Sequence, residues 1–143
     1  MIQLSGSLWG YTADYKCVTT NGIVSRGCLI MGAGVALQAK QRFPDLPKKL
    51  GVWVRKYGNR PFICPEEKLI TFPTKHSWRD DSDLDLIVDS ARKIVQITDK
   101  YSLDKVFMTR PGCGNGGLNW INVSAAISGV FDDRFVVLEL NGN

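Results

Sequence analysis

The sequence predicts an α/β layered domain with a largely consecutive sheet, and three observations predict it. Short apolar, β-branched runs alternate with longer amphipathic stretches along the chain. Two of the passages from strand-like to helix-like sequence run through glycine, at Gly32–Gly34 and at Gly112–Gly117. In the second, four glycines fall within six residues. Glycine loses more backbone freedom on ordering than any other residue, so such a cluster implies positive φ or close backbone approach to a ligand. Strand, glycine loop and helix N-terminus is how α/β proteins hold an anion with backbone N–H groups.

In chain order, Ile2 to Leu4 reads as a first strand, ended by Ser5-Gly6-Ser7. Leu8-Trp9-Gly10-Tyr11 follows, two aromatics beside a turn. Lys16 to Thr20 is β-branched and strand-like, and runs into the turn signal Asn21-Gly22. The segment from Ser25 to Gly34 reads as a glycine-bearing loop. It opens a helix whose apolar positions are Val35, Ala36, Ala39 and Phe43, stopped by Pro44. A third segment, helical from about Asp45, carries Leu50, Val52 and Trp53. Residues 61–64 and 69–72 read as strands joined hairpin-fashion across Pro65-Glu-Glu-Lys68. The acids of Asp80-Asp-Ser-Asp83 open the next helix and suit its dipole, with Ser82 as the expected cap. Its stripe is Leu84, Ile87, Val88, Ala91, Ile94 and Val95. Residues 105–109 form a strand, Asn119 caps a helix over residues 120–131, and residues 135–140 close the sheet.

Bulk properties narrow the function classes. The 143 residues make one domain, able to bury a core without disulfides. No apolar run approaches a membrane span, and the start resembles a strand, not a signal peptide. The four cysteines are widely spaced with no C-x-x-C pair, which argues against zinc and against a disulfide scaffold. Reduced thiols and a cytoplasmic location are expected. The formal charge of +4 permits a polyanionic partner without requiring one. From Lys40 to Arg60 there are seven Lys or Arg against one Asp. Such a run reads either as a solvated helix face or as contact with nucleic acid.

Chemistry-bearing candidates stand at strand ends. Asn21 sits at the end of a strand, where open α/β sheets bind ligands. Lys75 and His76 lie in a loop just after another strand. A loop lysine there neutralises phosphate charge or, partly desolvated, serves as nucleophile or proton carrier. His76 is the single histidine, either incidental or catalytic. Trp9 and Tyr11 read as an adenine wall or as core staples. The second glycine loop matches neither Walker A nor a strict G-x-G-x-x-G. Two glycine loops facing each other would hold a diphosphate between two helix N-termini.

Three stretches together resemble the macrodomain, or ADP-ribose-binding, superfamily: Met31-Gly-Ala-Gly-Val-Ala36, Phe72-Pro-Thr-Lys75 with Trp78-Arg79, and Gly112-Cys-Gly-Asn-Gly-Gly-Leu-Asn-Trp120. The likeness spans nearly the whole chain. It is strongest to the branch of the DNA ADP-ribosyl glycohydrolase antitoxins, with the terminal ADP-ribose protein glycohydrolase more distant. The resemblance implies a three-layer α/β/α sandwich with a mixed, mostly parallel central sheet, binding ADP-ribose in a cleft at the strand ends. It implies that Met31, Gly32, Ala33, Gly34 and Val35 line the diphosphate and distal ribose. Gly112, Cys113, Gly114, Asn115, Gly116, Gly117 and Leu118 would wrap the phosphates from the other side. Ser7 and Leu8 would lie by the adenine, Pro73 and Thr74 would lead to the site, Asn21 would approach the distal ribose, and Lys75 would act at ribose C1″.

Three departures follow from that likeness. Ser7 stands where the family usually has Asp or Asn against adenine. Gly116 stands where the protein-directed relative has an acid, so a lysine–aspartate pair is not expected. The segment between Asn21 and Gly32 is longer than usual, which reshapes the distal-ribose end. The antitoxins also carry a second domain, and a single module over residues 1–143 is the expectation here. The implied activity is removal of ADP-ribose from a modified DNA base or protein side chain. The protein would work as a monomer, with ADP-ribose as the substrate moiety and neither metal nor cofactor. Alternatives sharing the cleft are an ADP-ribose 1″-phosphate phosphatase, an O-acyl-ADP-ribose deacylase, and a non-catalytic binder or sponge.

Overall fold

A computed structural model describes residues 1–12 and 14–140. In order, the described elements are β1 (Ile2–Ser5), β2 (Tyr15–Thr20), β3 (Val24–Ser25), β4 (Cys28–Leu29), α1 (Gly34–Arg42), α2 (Leu46–Tyr57), β5 (Ile63–Cys64), β6 (Leu69–Pro73), α3 (Leu84–Lys100), β7 (Val106–Thr109), α4 (Trp120–Ile127) and β8 (Phe135–Glu139). Short 3-10 turns cover Leu8–Gly10 and Gly114–Gly116.

The main sheet runs β1-β8-β7-β2-β6-β5. Every neighbouring pair is parallel except β5 with β6. The expectation of a largely consecutive sheet is therefore corrected. β1 pairs with β8, and β2 lies between β7 and β6. The chain leaves β2 for β6 through α1 and α2, then recrosses to β7 through α3, so the direction of winding reverses beside β2. Open α/β sheets bind ligands at such a reversal, outside the carboxyl ends of the strands.

Alternation along the strands makes the sheet two-faced. Cys17, Ile70, Phe72, Val106, Met108, Phe135 and Val137 pack against α3 and α4 through Ile87, Ala91, Ile94, Val123 and Ile127. Val18, Leu69 and Cys64 face the other way, onto Ala36, Ala39, Leu46 and Leu50 of α1 and α2. The result is a three-layer α/β/α sandwich. Each central strand buries both faces, which explains their nearly continuous apolar sequence.

Two local readings need correction. Residues 24–29 form a β-hairpin, not simply a loop, because Arg26 and Gly27 both take positive φ (53° and 80°), as a two-residue type I′ turn requires. Its tip rests on α2: a Cβ on Gly51 would stand 2.2 Å from the Gly27 carbonyl oxygen. The cap of α3 is Asp83, whose carboxylate accepts from the N–H groups of Asp85 and Leu86. Ser82 is buried one residue earlier. Pro44, Asn119 and the Pro65–Lys68 hairpin turn act as their chemistry predicts, although α4 stops at Ile127.

Candidate functional site

Three loops leave the carboxyl ends of adjacent parallel strands. The loop after β2 leads to α1, the loop after β6 to α3, and the loop after β7 to α4. The three helices start beside one another but are finished differently. Asp83 caps α3, and Asn119 caps α4 by accepting from the N–H of Ile121. α1 begins after Ala33, whose side chain offers no acceptor and makes no cap. A helix leaves its first N–H groups without partners inside the helix, so the N-terminus of α1 is left to attract an anion.

The second glycine loop faces it. Gly112, Gly114 and Gly117 have φ of 78°, 68° and 77°, the left-handed region that a side chain would strain. Gly112 is also held where a Cβ would meet Ile87 at 2.5 Å. Gly116 has ordinary φ but no room: a Cβ would stand 2.3 Å from Ser82 Oγ. The Ser82 N–H donates to the Gly116 carbonyl at 2.8 Å, so the loop before α3 forms the bed of this one. The Ser82 hydroxyl itself, in a residue 8% exposed, has no hydrogen-bond partner.

Asn115 is where the loops meet. The Lys75 ammonium donates to its backbone carbonyl at 3.1 Å. Its side-chain nitrogen comes within 3.3 Å of where a Cβ on Gly34 would be. Gly34 itself takes φ of 56°. One residue of the second loop thus touches the first loop and the lysine together.

Lys75 is positioned by its main chain. The Thr74 N–H donates to the Thr20 carbonyl and the Gly22 N–H to the His76 carbonyl, continuing the β2–β6 pairing past the strand ends. The Lys75 carbonyl accepts from Asn59 Nδ2 at 3.0 Å. In the sequence Asn59 carries no signal of this role beyond being a polar residue between Gly58 and Arg60. His76 Nε2 lies 2.9 Å from Asp83 Oδ2. The His76 imidazole, and then the Leu86 N–H, hold the Asp83 carboxyl below its ordinary range.

Asn21, 9% exposed, uses its side chain on neighbouring backbone: Nδ2 donates to the Ile30 carbonyl, and Oδ1 accepts from Ile23 N–H. It lies between Thr20 and Gly22, which bond to Thr74 and His76 on either side of Lys75, and it closes the neck of the hairpin segment. Leu8 and Met31 are buried, in the β7–β8 face and under α1 respectively. Pro73 and Thr74 are buried beneath the lysine loop. Those four are packed inside, while Ser7, Gly32, Ala33, Gly34, Gly114, Asn115 and Gly117 are exposed. Val35, Cys113 and Leu118 are half-buried. Burial pushes the Cys113 thiol up, against a smaller opposing effect of Arg110, so this cysteine is poorly disposed to act as a thiolate. Trp9 and Tyr11 are engaged elsewhere: Trp9 donates to Gln38 under the Arg42 guanidinium, and Tyr11 stacks on Phe107.

No protein-family model matches the chain. It is similar to the DNA ADP-ribosyl glycohydrolase of Mycobacterium tuberculosis, with 30% identity over 111 residues, covering 71% of this chain and 32% of that protein. The chain therefore spans about a third of the length of the curated relatives it matches. Its fold superposes on the macrodomain of Mycobacterium tuberculosis DarG with a TM-score of 0.80 and 26% identity, covering 96% of this chain and 97% of that one. Thermosipho africanus DarTG, solved in complex with ADP-ribose, aligns with a TM-score of 0.81 and 22% identity, over 99% of this chain and 43% of that one.

Proposed function

This chain belongs to the macrodomain superfamily, and on that premise we propose that it binds ADP-ribose in the cleft between the two glycine loops and hydrolyses its bond to an acceptor, a base in DNA. The observation that carries the reading is the meeting of Gly34, Asn115 and Lys75 beside an uncapped helix. The diphosphate lies between the α1 N-terminus and the second loop, held by backbone N–H groups. That fixes the distal ribose without moving parts and stabilises charge near the reacting carbon.

Lys75 is the residue on which turnover depends. Its ammonium reaches from the β6 end to the second loop at this junction. In the reaction, the bond from ribose C1″ to the acceptor atom breaks, water oxygen takes its place on C1″, and the acceptor atom gains a proton. Asn21 serves by shaping the ribose end of the cleft through the segment it closes. An acid at Gly116 has no space above Ser82, so the chemistry rests on the lysine without an aspartate partner in that loop.

The names of the relatives support DNA as the acceptor. In this reading the protein acts as a monomer in the cytoplasm and needs neither metal nor organic cofactor. Four free cysteines suit a reducing compartment, and among the described residues no helix is long and apolar enough to cross a membrane. The test is titration with ADP-ribose by calorimetry, followed by incubation with ADP-ribosylated DNA and ADP-ribosylated protein in parallel. Binding with release from DNA is expected. Binding with no release from either substrate would leave a binder or a 1″-phosphatase, and absence of binding would end the reading.

A further inference from the structure

We propose that the groove along the free edge of the sheet, between α2 and α3, is a track for a single strand of nucleic acid leading to Lys75. The inference rests on the DNA-directed reading above for its purpose, but it is measured separately.

The edge strand β5 has two residues and leaves an open groove of about 560 Å3 beside it. Tyr57, Arg60, Phe62, Lys93, Lys100 and Tyr101 line it. Tyr57 and Tyr101 are 55% and 46% exposed, so both rings present a face to solvent. Each carries a cation: Lys56 Nζ lies 5.2 Å from the Tyr57 ring centre and Lys100 Nζ 5.6 Å from that of Tyr101. An aromatic face with an ammonium beside it suits a base stacked on the ring and its phosphate on the lysine. Phe62, tilted against Tyr57 and Trp53, forms the floor. None of the described lining residues is acidic. Asp89 approaches only to pair with Lys93 from the neighbouring turn.

The groove also ends in the right place. Arg60 follows Asn59, the residue that holds the Lys75 carbonyl. A strand lying in the groove therefore arrives beside the lysine. A duplex keeps its base faces stacked internally, so the exposed tyrosines select unpaired bases. An acidic peptide would use the lysines and leave the rings idle.

The experiment is fluorescence anisotropy of a labelled, unmodified oligothymidylate with the wild-type chain and with Tyr57→Ala, Tyr101→Ala and Arg60→Ala. Each tyrosine substitution is expected to weaken binding about tenfold, while Tyr57→Phe retains it. Arg60→Ala should flatten the log–log salt slope by about one. ADP-ribose affinity by calorimetry should stay unchanged in all four variants, which also shows that they fold. Duplex of the same sequence should bind more weakly. Oligothymidylate binding that ignores both tyrosines, no binding at all, or an acidic peptide showing the same tyrosine dependence in place of DNA would overturn the track. If tyrosine-dependent binding holds but ADP-ribosylated DNA is not turned over, the track stands and the hydrolase reading fails.

Discussion

The Lys75 ammonium donates to the backbone carbonyl of Asn115, 40 residues further along the chain. The residue proposed to act at ribose C1″ thus also ties the lysine loop to the loop proposed to hold the diphosphate. Lys75→Ala should lose turnover while retaining ADP-ribose binding, since the N–H groups on both loops remain. Unchanged release of ADP-ribose by this variant would remove Lys75 from the mechanism. Amide hydrogen exchange should also quicken in the second loop relative to the wild type.

Gly116 and Ser82 form a second such pair. Gly116→Ala should destabilise the fold by about 1–3 kcal/mol, because its methyl must displace a buried side chain. Ser82→Ala removes a buried hydroxyl that has no partner, so it should be neutral or stabilising, by up to about 1 kcal/mol. Combining the two should recover part of the Gly116→Ala loss. Urea unfolding of the four proteins reads all three numbers; strict additivity would show that the two sites do not press on one another.

Gly51→Ala should cost about 1–3 kcal/mol or more. Here the obstacle is the Gly27 main chain, which cannot turn aside as a side chain can. Thermal unfolding by circular dichroism measures it, and a variant as stable as the wild type would mean that the hairpin tip does not rest on α2 in solution.

Asp83 should contribute stability with a defined pH dependence. Its carboxyl is held below the ordinary value by His76 first and by capping N–H groups after it. The native state therefore binds this proton less readily than the unfolded chain does. The stabilisation is present above about pH 4 and is lost as pH falls through the lowered native value. Asp83→Asn, which still caps, should flatten the acid limb of the stability curve. His76→Ala should move the Asp83 titration upward, followed by NMR of the carboxyl carbon; a titration unmoved by that change would contradict the pairing.

Most of the helices were legible because local chemistry sets their ends: Pro44 after α1, Asn119 before α4, a long apolar stripe in α3. The glycine loops were legible because positive φ at Gly34, Gly112, Gly114 and Gly117 leaves glycine as the easy choice. Strand order was not. Which strand lies beside β2 depends on contacts between residues far apart in the chain, and no local period records them. The β3–β4 hairpin is not legible in sequence because two-residue strands show no alternation and its turn is Arg-Gly instead of Asn-Gly. Ser82 and Asp83 are both chemically fit to cap a helix, and only the burial of the first decides between them. Asn59 reaches Lys75 through its side chain over a distance in sequence that no motif spans.

The two hydrogen bonds of the Asn21 side chain have a modular consequence. They close the excursion between Ile23 and Ile30 at its base, which ties the end of β2 to the approach to α1 independently of the residues between. The hairpin is in effect a detachable insert beside the end of the sheet proposed to receive the distal ribose. Changes of length or composition within it should therefore leave the rest of the fold intact, provided the Asn21 clasp and the close approach of its tip to Gly51 are kept.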